Sequence, residues 1–191
     1  MTYHPPFTNR KSQRLNHYDY SKDNLYFVTS CVKDRVCCFG EIVGKKMKLN
    51  DHGKIAEKQW FWLGQQYSYV VLHAFTVMPN HIHSIIEIDH NRVIDIVGTG
   101  RDLSLQYDPS KRNDPSKKQK IKSLSELMGA YKTTVSKQIH LSGDKHFAWQ
   151  RSFHDHIIRN HNEYQAISNY INNNPAKWND DMFFNSDIPT L

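Results

Sequence analysis

Runs of β-branched and aromatic residues predict four strands in the main body of the chain. The first covers residues 25–32, LYFVTSCV, and the last covers residues 153–158, FHDHII. Between them lie two strands at residues 69–77 and 81–88, separated only by the tripeptide MPN. Because so short a link joins neighbouring antiparallel strands, we expect a hairpin there.

Three segments have apolar residues at helical spacing. Residues 51–66 and 123–140 are predicted helices, and the second begins with SLSE, the pattern of a capping box. A third helix, in the segment NEYQAISNYINNNP, is expected to end near Asn174, because Pro175 disfavours the helical conformation in the residue before it. Residues 33–50 are predicted to be a strand-like excursion with glycine turns.

The order of these elements, β-α-β-β-α-β followed by a helix, predicts an α+β fold with a ferredoxin-like antiparallel sheet. We expect one domain over residues 23–178, preceded by a basic N-terminal arm (residues 1–22) and followed by a C-terminal tail (residues 179–191). Residues 89–122 are expected to be a mobile basic loop, since residues 101–122 hold seven Lys or Arg against three Asp without lasting periodicity.

The charge balance favours an acidic partner. The 191 residues have a formal net charge of +6 and a pI of about 9.1, which is typical of nucleic-acid binding. No stretch approaches the roughly 18 consecutive apolar residues of a membrane span, so we expect no membrane association. The three cysteines lack disulfide or zinc-site spacing, which indicates reduced thiols and a cytoplasmic protein.

Two histidines stand at the start of the apolar strand HIHSIIEI. Side chains alternate along a strand, so His81 and His83 point to one face while Ile82 points to the other. Two imidazoles on one face can reach a single metal ion, although such pairs are often structural histidines instead. A second pair, His154 and His156, is a weaker candidate for the same site.

The C-terminal helix offers oxygen-bearing groups outside its core stripe. Tyr164, Ile167 and Ile171 recur at i, i+3 and i+7 and form the apolar stripe. Tyr170 lies off this stripe, and Asn174 follows one turn later on the same side. A phenol beside an oxygen ligand suits covalent phosphoryl transfer, in which the tyrosine attacks phosphorus and a metal offsets the developing charge. From geometry alone, an aromatic residue at the core edge is the simpler interpretation of Tyr170.

A family resemblance joins these features. The segments YFVTSCV, FGEIV, MPNHIH, WQRSFHDHIIRN and YINNNPAKW resemble, in the same order, those of the REP-associated tyrosine transposases. These are single-tyrosine HUH transposases, named for the His-hydrophobic-His motif that His81-Ile82-His83 matches. The resemblance runs from about residue 18 to residue 178 and is far more specific than the histidine pair alone.

The resemblance implies a metal-dependent enzyme that cleaves and rejoins single-stranded DNA near hairpins. His81, His83 and Asn174 would bind Mg²⁺ or Mn²⁺, and Tyr170 would form a 5′-phosphotyrosine and release a 3′-hydroxyl. Tyr164 is the alternative nucleophile. The protein would be bacterial and nucleoid-associated, and either a monomer or a homodimer. Two hypotheses compete with this one. The protein could be a domesticated member of the same fold that binds hairpins without cleaving them, or a metal hydrolase that activates water.

The resemblance also extends to residues around the centre. His156, Arg159 and Asn160 are expected near the DNA or around the metal ligands. Basic side chains of the arm and the loop suit phosphate contacts, which are independent of base sequence. The predicted DNA-binding residues are Arg10, Lys11, Arg14, Lys111, Arg112, Lys117, Lys118, Lys120 and Lys122.

Overall fold

The computed structural model describes residues 18–92 and 121–184. Its strands are β1 (Asn24–Cys31), β2 (Gly40–Val43), β3 (Lys46–Leu49), β4 (Val70–Val77), β5 (His81–Ile88) and β6 (His154–Ile158). Four of them form an antiparallel sheet in the order β4-β5-β1-β6, and β2 and β3 form a separate hairpin. This strand order confirms the ferredoxin-like α+β prediction, with the β2–β3 hairpin inserted before the first helix.

The described helices are α1 (Asp51–Gln66), α2 (Leu124–Leu141) and α3 (His161–Asn173). Each begins at a capping side chain, because the first backbone N–H groups of a helix need acceptors. The side chains of Asn50, Ser123 and Asn160 accept these bonds, and Ser123 completes the predicted capping box. After α3 the chain tightens into a 3₁₀ helix, Asn174–Asp180, with proline in its first turn. None of the described helices is long and apolar enough to cross a membrane.

One face of the sheet packs against α1 and α2 and forms the larger core. Its fully buried side chains include Trp60 of α1, Tyr131 of α2 and Ile82 of β5. The ring of Trp60 stacks on Phe75 with centroids 4.9 Å apart. Strand β5 pairs with β1 on one side and β4 on the other, so the sequence prediction of an interior strand is confirmed.

The opposite face of the sheet packs against α3 and forms a smaller core. Ile85, Ile158 and Ile171 are buried there, with Tyr164 and Ile167 packed against them. This arrangement confirms the apolar stripe predicted for the C-terminal helix. His81 and His83 lie on the same strand face as Ile85, so the α3 side of the sheet is the side that carries the candidate chemistry.

Strand β4 contains a β-bulge. The pairing register with β5 shifts between Leu72 and Phe75, so that His73 and Ala74 together stand opposite Ile85. Ala74 packs against the α3-side core, and the His73 ring hydrogen-bonds to groups on that side as well. An extra residue in one strand re-aims a side chain in this way, which is why bulges accompany functional sites.

Candidate active site

His81 and His83 converge at the edge of the α3-side core. Both side chains are buried, with residue exposures of 0% and 1%. The strand alternation predicted for this pair brings the two Nε2 atoms to 2.9 Å from each other. Their neighbours on β1 are Cys31 and Thr29, which oppose His81 and His83 in the register.

Asn80 fixes the orientation of the His81 ring. Its Nδ2 donates to the backbone carbonyls of Arg35 at 3.1 Å and Phe183 at 2.9 Å, so its Oδ1 faces His81. The distance from that oxygen to Nδ1 of His81 is 2.7 Å. Since an amide oxygen only accepts, Nδ1 carries the proton and Nε2 of the neutral ring presents its lone pair. Such outer hydrogen bonds orient metal-binding histidines.

Thr29 orients the His83 ring by a hydrogen bond to its Nδ1, as Asn80 does for His81. Its Oγ1 lies 2.8 Å from Nδ1 of His83, and the ring also stacks on Phe27 with centroids 5.5 Å apart. Burial lowers the pKa of both His81 and His83, and the proximity of His83 lowers that of His81 further. Both imidazoles are therefore neutral near pH 7, which is the form that binds a metal.

Asp181 adds an acidic oxygen to the histidine pair. Its Oδ2 lies 4.0 Å from Nε2 of His83, and its side chain is 1% exposed. Burial opposes ionisation, but the nearby His83 ring and hydrogen bonds from the Phe183 backbone and Asn174 outweigh it and lower the pKa of Asp181 to about 2. His81, His83 and Asp181 each offer a ligand atom within 4.8 Å of the others, a grouping that could hold a metal ion.

Asn174, the predicted third ligand, lies beside Asp181. Its Nδ2 donates to Oδ2 of Asp181 at 2.8 Å. Its Oδ1 is buried and has no hydrogen-bond partner among the described residues. A buried amide oxygen without a partner carries a desolvation cost that a nearby cation would offset. Two imidazole nitrogens, a carboxylate and this amide oxygen therefore fit a divalent ion.

Tyr170 points from α3 towards the histidines. Its hydroxyl lies 3.1 Å from Nε2 of His83, and its residue exposure is 42%, so one side of the ring faces solvent. Burial, and then the charge of Asp181, raise the pKa of Tyr170 to about 12, although a hydrogen bond with Asn174 opposes the shift. The phenol is thus protonated at neutral pH, and nearby positive charge would favour its ionisation.

The structure separates Tyr164, the alternative nucleophile, from these groups. Its hydroxyl lies 3.2 Å from Nδ1 of His73, whose Nε2 lies 2.8 Å from Oε2 of Glu87. Tyr164 precedes Tyr170 by six residues, or about 9 Å along the helix axis. Of the two tyrosines, Tyr170 is the one beside the histidine pair.

The other predicted site residues lie at the N-terminal end of α3. Nε2 of His156 is 2.5 Å from Oε1 of Glu163, and the backbone N–H of Arg159 donates to the same carboxylate at 2.7 Å. Asn160 caps the helix. In the described part of the chain, none of these three side chains hydrogen-bonds to His81 or His83. Their expected role near the DNA stays a prediction.

Most of the predicted DNA-binding residues lie outside the described part of the chain. These are Arg10, Lys11, Arg14, Lys111, Arg112, Lys117, Lys118 and Lys120. Lys122 is described, and its backbone N–H donates to the Tyr69 hydroxyl at 3.0 Å. Its Nζ lies 6.0 Å from the ring centroid of Tyr67, at the end of the sheet away from His81.

Sequence reasoning did not identify Asp181, Asn80 or Thr29 as parts of the centre. Asp181 falls in the segment assigned to the tail, and only its proximity to YINNNP in sequence could have drawn attention to it. Asn80 precedes the histidine motif directly, so its position was a usable signal. Thr29 faces His83 only through strand pairing, which the sequence does not reveal.

Comparison with known proteins supplies a relative by sequence and several structural neighbours, two of which are described below. No protein-family model matches the chain. An uncharacterized protein of Haemophilus influenzae is 33% identical over 182 residues, which are 95% of this chain and 97% of that protein. The structure of a REP-associated tyrosine transposase bound to a REP hairpin gives a TM-score of 0.53 at 18% identity, over 87% of this chain and 74% of that chain. A candidate transposase from Deinococcus radiodurans R1 gives a TM-score of 0.40 at 15% identity, over 85% of this chain and 97% of that chain.

These similarities have different weight. The full-length identity of 33% shows common family membership with the Haemophilus influenzae protein. The TM-score of 0.53 at 18% identity shows a shared fold, and the score of 0.40 supports no argument. The chain therefore belongs to the family of this Haemophilus influenzae protein and has the HUH transposase fold of the REP-associated tyrosine transposases.

Proposed function

We propose that the protein is a metal-dependent transposase that cleaves and rejoins single-stranded DNA through a phosphotyrosine. The observation that carries this proposal is the 3.1 Å distance between the Tyr170 hydroxyl and Nε2 of His83. A nucleophile of the right type thus lies beside a histidine that, with His81 and Asp181, could hold a metal ion. A hydrolase that activates water would not need a tyrosine at this position.

The residues of the centre fit Mg²⁺ or Mn²⁺. Carboxylate and amide oxygens are the donors that hard divalent ions prefer, and neutral imidazoles complete the set. His81, His83 and Asp181 would hold the ion, and Oδ1 of Asn174 would be the further donor. A bound ion would polarise the phosphate oxygens and offset the negative charge that develops in the transition state.

Tyr170 would perform the covalent step. Its hydroxyl oxygen attacks the phosphorus, the bond from phosphorus to the 3′ oxygen breaks, and the phenol proton is transferred overall to that 3′ oxygen. The products are a 5′-phosphotyrosine and a free 3′-hydroxyl. Because one phosphodiester replaces another, a 3′-hydroxyl can attack the phosphotyrosine in the reverse direction and join strands without a further energy source.

Hairpin-forming single-stranded DNA is the proposed substrate. The net charge of +6 favours a polyanion, and the fold neighbour is a transposase that was solved with a REP hairpin. The solvent-facing side of Tyr170, with 42% exposure, leaves space for a phosphate to approach the hydroxyl. We extend hairpin binding to this chain on these grounds.

Covalent capture tests the proposal. The purified protein is incubated with 3′-labelled hairpin oligonucleotides that carry single-stranded flanks, with Mg²⁺, with Mn²⁺, or with a chelator. We expect a labelled protein–DNA adduct on a denaturing gel that requires the metal and is lost in Tyr170→Phe. The matched control is Tyr67→Phe, a change of the same atoms at a half-buried tyrosine on the far side of the sheet.

The other outcomes separate the competing hypotheses. Hairpin binding without any adduct or cleavage would support a domesticated binding protein on the same fold. Cleavage that persists in Tyr170→Phe would support a hydrolase that uses water and would overturn the tyrosine mechanism.

A further inference from the structure

A cavity opens on the α3 side of the sheet, at the opposite end of β5 from His81. It is open to solvent and has a volume of about 610 Å³, which lies within the usual range for ligand sites. It lies between the N-terminal end of α3 and strands β1, β4, β5 and β6. We call it the base pocket, and the residues used below are Leu25, His73, Glu87, Ile158, Arg159 and Tyr164. On the basis of the proposed function, we infer that this pocket binds an unpaired nucleobase with an exocyclic amino group.

The floor of the base pocket crosses three strands at one register level. Leu25 of β1 pairs with Glu87 of β5 on one side and with Ile158 of β6 on the other. Leu25 and Ile158 supply an apolar surface for the face of a base, while Tyr164 of α3 lines the pocket as an aromatic wall. Apolar and aromatic contacts to the base face are the sequence-tolerant part of single-strand binding.

Glu87 supplies an acceptor at the edge of this floor. Nε2 of His73 lies at hydrogen-bond distance from Oε2 of Glu87, at 2.8 Å, and Nδ1 lies 3.2 Å from the Tyr164 hydroxyl. The carboxylate has lone pairs beyond the one that His73 uses, and its side chain is 28% exposed. A carboxylate accepts the N4 amino group of cytosine but repels the O4 carbonyl of uracil or thymine.

The β-bulge in β4 provides an independent reason to regard this network as functional. Without the extra residue, β4 would place one side chain, not two, opposite Ile85. The bulge adds His73 to the α3 side, and that ring joins Glu87 to Tyr164. The covalent centre does not use this triad, so a bound ligand at the pocket accounts for an arrangement that the phosphotyrosine chemistry does not require.

The distance between the base pocket and the histidine pair suits a single DNA strand that also reaches Tyr170. Glu87 follows His83 by four residues on the same strand face, or about 13 Å. Arg159 is exposed at the pocket, so its guanidinium is available to a phosphate on the way. A single strand with its phosphate at Tyr170 would therefore place a nearby unpaired base over the floor of the base pocket.

Binding of homopolymers tests this inference. Fluorescence anisotropy would compare oligo(dC) with oligo(dU), which share the same backbone. The two bases differ at C4, which carries an amino group in cytosine and a carbonyl in uracil, and at N3, which is protonated only in uracil. We expect the native protein to bind oligo(dC) about tenfold more tightly, as one hydrogen bond to a charged acceptor predicts. In Glu87→Gln the two affinities should converge, because an amide side chain both donates and accepts.

The control is Glu57→Gln, the same chemical change at an exposed position of α1, which should keep the preference for oligo(dC). Equal binding of the two homopolymers by the native protein would overturn the inference, as would a preference that survives in Glu87→Gln. Covalent capture with hairpin DNA is measured on the same samples. If the native protein forms the adduct but has no base preference, the base pocket alone is refuted. If it shows neither the adduct nor the base preference, the proposed function is refuted as well. Should Glu87→Gln fail to fold, Glu87→Asp gives a second test, since it keeps the charge but withdraws the carboxylate from the pocket, and it should reduce the preference.

Discussion

Asn174 donates a hydrogen bond from Nδ2 to Oδ2 of Asp181 at 2.8 Å. The 3₁₀ helix Asn174–Asp180 makes this contact between residues seven apart, because it turns the chain back towards β5. The bond fixes both side chains, with the amide oxygen of Asn174 left without a partner among the described residues. One short segment thus brings the carboxylate of Asp181 to the histidine pair and holds the amide of Asn174 against that carboxylate.

Replacement of Asp181 by Asn should weaken divalent metal binding. The change removes the negative charge nearest His83 while it keeps the size of the side chain. We expect the affinity for Mn²⁺, measured by titration calorimetry, to fall by more than about 100-fold, the upper end of the loss seen for outer partners of a metal ligand. Asp180→Asn is the matched control, since Asp180 is the exposed neighbour. Equal Mn²⁺ affinity in both variants would exclude Asp181 as a ligand.

Replacement of Thr29 by Val should have a smaller effect on the same measurement. Valine has the shape of threonine but cannot hydrogen-bond to Nδ1 of His83, which lies 2.8 Å from Oγ1. Loss of an outer partner costs roughly 10- to 100-fold in metal affinity, so we expect a loss in that range. Thr133→Val, at an exposed position of α2, should leave the affinity unchanged. A wild-type affinity in Thr29→Val would mean that the hydroxyl does not orient the ring.

The metal-free protein should lose stability as the pH falls below about 6.5, the ordinary pKa of histidine. Burial lowers the pKa of His81 and His83, so the unfolded chain takes up protons that the folded protein does not. Stability then decreases with decreasing pH, by up to about 1.4 kcal/mol per pH unit for each histidine. The measurement is the free energy of unfolding in urea over a pH series.

Two variants identify the source of that pH dependence. His83→Gln should reduce the slope, whereas His146→Gln, at an exposed position, should preserve it. The lowered pKa of Asp181, about 2, adds a separate loss only below its ordinary value of 3.8. An unfolding free energy that stays constant between about pH 7.5 and pH 5 would contradict the neutral, buried state of the histidines.

Tyr164→Phe should still form the covalent adduct at saturating DNA concentration. The hydroxyl of Tyr164 bonds to His73 and lies away from the histidine pair, so its loss removes one hydrogen bond and costs about 1 kcal/mol in unfolding free energy. Mass spectrometry of the trapped complex should locate the DNA on the peptide position of Tyr170. A nucleotide found on Tyr164 would instead support the alternative nucleophile.

The elements were predictable because their signals are local. The helix over residues 51–66 agrees with α1 (Asp51–Gln66), and the strand over residues 81–88 agrees with β5 (His81–Ile88). Apolar periodicity and caps determine such bounds within a few residues. The ferredoxin-like order followed from the succession of elements, since strands of this succession have few ways to pair.

The centre was only partly predictable because its other members meet through tertiary contacts. His81 and His83 share a face by strand alternation, which sequence shows directly. Asp181 reaches them only after the chain has turned through the 3₁₀ helix, and Thr29 only through the pairing of β1 with β5. The bulge in β4 is equally invisible, because the sequence around His73 alternates no differently from that of a regular strand.

The contact between Tyr170 and His83 joins residues 87 positions apart in the chain. Asn80 adds a second long connection, since its amide holds the carbonyl of Phe183, 103 positions away. Local structure places the two histidines together on β5, but it does not bring them to Tyr170 or Asp181. These groups meet only when β5, α3 and the segment after it have all docked. Under the proposed function, DNA cleavage then depends on completed folding. A partly folded chain, in which Tyr170 is apart from the histidines, would not cleave chromosomal DNA.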